Sequence, residues 1–458
     1  MKLFAKQLLT VDGWRFNQLV TIEAGIITDI CETHGDMTEN DADMVKGIVI
    51  PGMVNCHSHA FQRAFAGFSE QGSEGKDSFW TWRRIMYQFL EQLTVADAQL
   101  IAQQLYIEML KQGYTRVAEF HYLHHDQQGQ QHESPAAMAE AIFKAANTSG
   151  IGLTMLPVLY RFSGFGPQAA NDGQKRFIHS VADFNCLVDD CFTLAEHYGN
   201  SNVGIAPHSL RAVDKPSLVE AVAHVRAKDA NAPIHIHIAE QQKEVNDCIA
   251  HYGQRPVEWL LDNMTLDQHW CLIHATHIDE QERRGIVASG AIAGICPTTE
   301  ANLGDGIFPT AEFVGEQGKW AIGSDSHISV NPVEELRWLE YAQRLTKQQR
   351  AILATDETPS VGQYLWQSAA QGGAQSTSSN TGAIAIGKQA DLLVLDDAKL
   401  SVYASGQQYC LDSLVFASSS PAIADVMVNG KWVVTNGEHA AAQETHEKFS
   451  ALLSRLSG

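Results

Sequence analysis

Two histidines separated by a single residue, His57 and His59 in the segment PGMVNCHSH, are the first residues of this 458-residue chain whose type and spacing suggest chemistry. Residues two apart on a β-strand point to the same side. Two imidazoles so placed can bind one borderline metal ion at about 2.0–2.1 Å per bond. Alone, the H-x-H pair is a weak signal. Four other apolar runs end in residues of the same kind. VGIAPHSLRAV places His208 at its end, and PIHIHIAEQ puts His235 and His237 on one face with Glu240 just beyond. The next such run ends in His274, within WCLIHATH, and the last in Asp325, within WAIGSDSH. A lone histidine at a strand end is more often a hydrogen-bonded structural residue than a ligand. Histidines or acids at five strand ends are not explained that way. Burying so many polar groups without partners is costly, and a metal ion would be a shared partner.

These residues need strands to carry them and helices to close the structure. GMVNC, TRVAEF, GLTMLPV, VGIAP, PIHIHI, WCLIHA, IAGICP and WAIGSD are short apolar runs separated by amphipathic stretches. One such stretch is Thr94–Gly113, with Thr94 as N-cap, Leu100, Ile101, Leu105 and Leu110 at helical spacing, and Gly113 as the stop. The alternation predicts a (β/α)₈ barrel over residues 50–382, whose active site would sit at the C-terminal ends of the strands. Residues 1–49 and 383–440 read as short strands, including a hairpin about Asn429-Gly430, and residues 441–458 as a C-terminal helix. The Ser/Gly/Gln-rich stretch 371–382 reads as the linker returning from the barrel. The fold class expected is therefore α/β, a barrel with a small β-sandwich built from both chain ends.

The composition excludes several functions. With 32 Lys+Arg against 53 Asp+Glu, the formal charge is 32 − 53 = −21, which disfavours nucleic acid and anionic membranes as partners. No apolar run approaches the ~18 residues needed to span a bilayer. The N-terminus lacks an apolar core with a small-residue cleavage site. Eight scattered cysteines without a CxxC pair read as reduced thiols, which places the chain in the cytoplasm.

The set PGMVNCHSH, HIHIAE, LIHATH and GSDSH resembles the amidohydrolase superfamily, in its cytosine/guanine/atrazine deaminase-like branch with one metal. The return segment IAIGKQADLLVLD is similar to that family's passage from barrel to sandwich, so the resemblance covers nearly the whole chain. It implies zinc, one ion per subunit, held by His57, His59, His237 and Asp325. It also implies Glu240 as proton shuttle, His274 as the residue bonding the attacking water or the developing intermediate, and Asp325 as a possible second base. His235 has no role in the pattern and is expected inside the barrel. The superfamily often forms homo-oligomers, which makes a homodimer the expected assembly.

Further segments bear on the substrate. CHSHAFQRAFAG, DSFWTWRRIMY, EFHYLHH and HSLRAV resemble the members of that superfamily that deiminate a linear amidine carrying two carboxylates. Carboxylates call for arginine forks, tyrosine hydroxyls and histidine. The expected substrate-binding residues are Gln62, Arg83, Tyr122, His208 and Arg211. The alternative, a guanine or other nucleobase or nucleoside deaminase, would need an apolar slot and would waste the arginines. Local arginines also have to overcome the repulsion between a −21 protein and an anionic substrate. Trp80 and Trp82 read as packing residues and His124 and His125 as loop surface, while Arg63, Arg84 and His327 have no assigned role.

Overall fold

The computed structural model describes residues 1–34, 38, 41–68, 70, 79–401, 409–418 and 422–457. The side chains of residues 79–82, 84, 85, 401 and 457 lie outside the description, and with them Trp80, Trp82 and Arg84. Each of the eight apolar runs forms a strand. In chain order they are Met53–Ser58, Tyr114–His121, Gly152–Leu159, Ser201–Val203 continued by Ala206–Pro207, Ile234–Ile238, Trp270–His274, Ile292–Ile295 and Lys319–Ile322. The fourth is split at Gly204-Ile205. There a Cβ on Gly204 would fall 2.1 Å from the Pro233 carbonyl oxygen, so only glycine allows this approach.

All neighbouring strands run parallel, in two half-barrels made of the first to fourth and the fifth to eighth strands. Single bridges close the ring: Ile205 to Ile234 and Ser209 to His237 on one seam, and Ser58 to Asp325 on the other. The helices fall between the strands as an α/β barrel requires. Val95–Gln112 starts at Thr94, which forms a capping box with Asp97, and stops at Gly113, whose φ is +101°.

One correction concerns the return from the barrel. Residues 371–376 are no linker; they complete the helix Val361–Ser376. A Cβ on Gly372 would lie 1.8 Å from the Trp320 carbonyl oxygen, and one on Gly373 2.7 Å from Val54 Cβ. The glycines are there because the helix lies against the eighth and first strands, a contact that composition alone does not reveal.

Strands from both chain ends share one eight-stranded sheet. Leu392–Leu395 pairs antiparallel with Ile48–Pro51, which joins the N-terminal strands Lys2–Thr10, Gly13–Glu23 and Ile26–Glu32 to the C-terminal pair Ile423–Val428 and Lys431–Val434. Asn429 and Gly430, at φ +49° and +73°, form the turn of that last hairpin. The sheet has its own apolar cluster, with Leu3, Leu8, Val20, Val49, Leu392 and Met427 in it. Helix Ala442–Ser457 ends the chain and packs on Val95–Gln112. No helix among the described residues is long and apolar enough to cross a membrane.

Candidate active site

The barrel seams assemble the site. Across one of them the Asp325 N–H donates to the His57 carbonyl at 3.0 Å and the His59 N–H to the Asp325 carbonyl at 3.3 Å. Across the other, the His237 N–H donates to the His208 carbonyl at 3.1 Å. Gly323 makes the first approach possible, since a Cβ there would lie 2.7 Å from His57 Cβ. Ala239, His274, Ala275, Asp325 and His327 all take left-handed φ values between +44° and +67° at the strand ends. Non-glycine residues adopt that region at a cost and concentrate at functional sites.

The side chains converge. His57 Nε2 and His237 Nε2 are 3.0 Å apart, and Asp325 Oδ1 is 3.5 Å from His57 Nε2 and 3.3 Å from His59 Nε2. His59 Nδ1 contacts the Phe120 carbonyl at 2.9 Å and His237 Nδ1 the His208 carbonyl at 3.1 Å. A carbonyl only accepts, so both Nδ1 atoms carry the proton and both Nε2 atoms keep a lone pair. Burial first, and neighbouring imidazoles second, hold His57 and His237 well below the usual histidine range; burial takes His59 down to about 3. The Nε2 lone pairs of His59 and His237 thus converge with His57 Nε2 and the Asp325 carboxylate on one point, where a cation would meet all four. The donor set therefore fits a borderline divalent ion, and the carbonyl partners fix the ring tautomers as such ions require.

Beside this set, His274 Nε2 lies 3.9 Å from Glu240 Oε1 and 3.7 Å from Asp325 Oδ2. Its Nδ1 is 3.2 Å from Glu300 Oε1, an oxygen that also accepts from the Cys296 N–H at 2.8 Å. Burial alone would depress His274, but Glu240, Glu300 and Asp325 outweigh it and raise its pKa well above the usual value. Glu244 accepts from the backbone N–H groups of Ala239 and Glu240 at 3.3 and 3.2 Å, which places the Glu240 backbone.

All five residues expected to bind substrate line one cavity with His59, His237, Glu240, His274 and Asp325. Gln62 Nε2 donates to Tyr122 Oη at 2.9 Å, and the Tyr122 and His59 rings are 5.0 Å apart. Leading away from His237, the ring of His208 follows at 4.9 Å and that of Tyr160 at 4.5 Å from His208. Arg83 Nη2 then donates to Tyr160 Oη at 2.8 Å. Arg211 Nη1 is buried with no hydrogen-bond partner among the described residues, as is Gln62 Oε1.

Two residues lie elsewhere than expected. His124 and His125 are buried, not on the loop surface; their Nε2 atoms donate to the carbonyls of Val158 and Ile178 at 3.0 and 2.7 Å. His235 is interior, with Nε2 bonded to the Ser376 carbonyl at 2.7 Å. Arg63 and His327 act as struts. Arg63 pairs with Glu108 at 2.8 Å and donates to the His327 carbonyl at 2.9 Å, while the His327 ring bridges Ser324 and Ser58. Sequence reasoning missed Glu119, Glu300, Glu244 and Tyr160. Glu119 accepts from Ser58 Oγ, the Ala60 N–H and Tyr106 Oη, bracketing His59, and burial raises its pKa to about 7. Its one available signal is an acid inside an apolar strand, TRVAEF.

The chain belongs to the amidohydrolase family, which it matches over residues 48–433, and it is a hydrolase acting on C–N bonds. The family is metal-dependent. The chain is 46% identical over 455 residues, 99% of each sequence, to formimidoylglutamate deiminase of Pseudomonas aeruginosa. It is 27% identical over 452 residues, 94% of each, to 5-methylthioadenosine/S-adenosylhomocysteine deaminase of Shouchella clausii. The crystal structure of an amidohydrolase from Brucella melitensis superposes with a TM-score of 0.94 at 42% identity over 100% of both chains.

Proposed function

We propose that this chain is an iminohydrolase converting N-formimino-L-glutamate to N-formyl-L-glutamate and ammonia in histidine degradation, with one zinc ion per subunit held by His57, His59, His237 and Asp325. One observation carries the reading: His59, His237, Asp325 and Glu240 share a single cavity with Arg83 and Arg211. The kinship with a formimidoylglutamate deiminase supports the same substrate. A purine would leave two arginines without a charge to meet, which makes the nucleobase or nucleoside reading the weaker one.

When bound, zinc supplies Lewis acidity that brings the pKa of water from 15.7 towards about 7. Glu240 accepts a proton from the attacking water as its oxygen joins the formimino carbon, and passes that proton to the imino nitrogen. The new hydroxyl then gives up its proton, through Glu240 or Asp325, to the same nitrogen. Nitrogen so protonated leaves as ammonia while the C=O bond forms, which the free amide anion could not do. His274, held at Nδ1 by Glu300, turns Nε2 to the developing oxygen. Arg83, Arg211 and His208 take the carboxylates, with Gln62 and Tyr122 flanking the formimino end.

The test is ammonia release from N-formimino-L-glutamate and from guanine, run in parallel on zinc-loaded protein. Release from the first alone supports the proposal; release from guanine, or from neither, overturns it. We further propose a cytoplasmic homodimer, in keeping with eight free thiols; light scattering at the mass of one chain would refute the dimer.

A further inference from the structure

The hydroxyl of Tyr160 has a hydrogen-bond pattern that determines where its proton goes. Tyr160 stands at the end of the third strand, is buried, and lines the cavity between His208 and Arg83. Its oxygen receives two donors, Arg83 Nη2 at 2.8 Å and Gln174 Nε2 at 2.8 Å. Both directions are certain on chemical grounds. A guanidinium only donates. The Gln174 amide is oriented by its other end, because Oε1 accepts from the Asn171 N–H at 3.0 Å and a backbone N–H cannot accept. A phenolic hydroxyl both accepts and carries one proton to donate. With two donors already on its oxygen, the proton is left to donate, and it makes no hydrogen bond to an acceptor among the described residues.

We propose that Tyr160 is a specificity-determining donor, giving its O–H to the substrate carboxylate gripped by Arg83, with Gln174 as the positioning residue that aims it. The inference rests on the function proposed above and adds a recognition group to it. Buried polar hydrogens are rarely left unmade, and a carboxylate at Arg83 would accept this one. Arg83 and Tyr160 are the far members of the series that leads from His237 through His208. Their carboxylate is therefore the side-chain one, remote from the formimino group. A tyrosine proton adds selectivity that arginine alone lacks, because it requires an acceptor at one point in space.

The experiment uses the zinc-loaded full chain and its Tyr160→Phe variant. Calorimetry measures binding of N-formyl-L-glutamate and of N-formyl-L-norvaline, in which a methyl group replaces the side-chain carboxylate. Hydrogen bonds to charged groups are among the stronger ones. We expect about a 10- to 100-fold loss of affinity for the first ligand and less than a twofold change for the second. Equal losses for both, or none for the first, overturn the proposal. The same substitution made in an Arg83→Met background separates donation from mere support of Arg83. A further loss of about fivefold or more there supports donation, and no further loss overturns it. Turnover distinguishes the two readings. If wild type releases ammonia from N-formimino-L-glutamate and Tyr160→Phe matches it in kcat/KM and in binding, Tyr160 is not the donor and the function stands. If wild type releases none, yet the binding pattern appears, the donor stands and the proposed reaction falls.

Discussion

Arg211 offers the sharpest test of carboxylate recognition. Its Nη1 is buried in the cavity wall without a hydrogen-bond partner among the described residues, so Arg211→Met removes a guanidinium edge that supports little else. Methionine retains most of the aliphatic stem and its packing. In the complex, the variant would strand one substrate carboxylate in a site closed by Tyr87, Tyr160 and Phe177. Removing one partner of such a charge pair costs about 2–5 kcal/mol. At about 1.4 kcal/mol per decade, that is a loss of roughly 30- to several thousand-fold in kcat/KM. Burial raises the pKa of Glu244 to about 7 even though Arg211 pulls it down, and Glu244 bonds the backbone at Glu240. A minor part of the loss should therefore appear in kcat, with the larger part in KM. The assay is steady-state ammonia release from N-formimino-L-glutamate, with inhibition by N-formyl-L-glutamate as an independent measure of binding. Arg211→Lys, which keeps the charge without the fork, should fall between wild type and methionine. A change below threefold in Arg211→Met, with the inhibitor still binding as in wild type, would refute the contact.

Other outcomes are expected. Glu240→Gln, which cannot carry the proton, should abolish turnover and retain its zinc by elemental analysis; normal turnover would refute the shuttle. His237→Ala should lower bound zinc and remove the rise in melting temperature that added zinc gives wild type, because a ligand of the native state stabilises it by mass action; an unchanged zinc response would exclude His237 from the site. Gly372→Ala should destabilise the fold, since its Cβ would meet the Trp320 carbonyl at 1.8 Å, and a loss of about 1–3 kcal/mol in denaturant unfolding is expected. An unaltered midpoint would mean that the helix Val361–Ser376 can shift away from the eighth strand.

Much of this architecture was legible because it repeats short rules. Strand text with a period of two placed His57 beside His59, and Thr94 as N-cap with Gly113 as stop bounded a helix to the residue. Local rules failed where distant chain meets. The glycines at 372 and 373 read as a linker because a flexible loop and a tight helix–strand contact ask for the same residue. His124 and His125 read as surface because a polar HYLHH segment carries no sign of the carbonyls of Val158 and Ile178 that receive them.

By itself, then, the sequence determined which residues could serve as ligands and which strand ends would present them, since side-chain type and strand alternation are local properties. The tertiary structure alone decided how those ends close on one another: the two seams that bring Asp325 to His57 and His59 and His237 to His208. It also decided which acids support them, since Glu119 and Glu300 lie on other segments of the chain and become partners only by packing, whereas Glu244 is a local partner in the first turn of the helix after Glu240. The direction of the Tyr160 proton follows from contacts with residues 77 and 14 positions away in the chain. Hydrogen-bond partners so distant leave no periodic mark in a sequence, because only the closed barrel brings them within 3 Å.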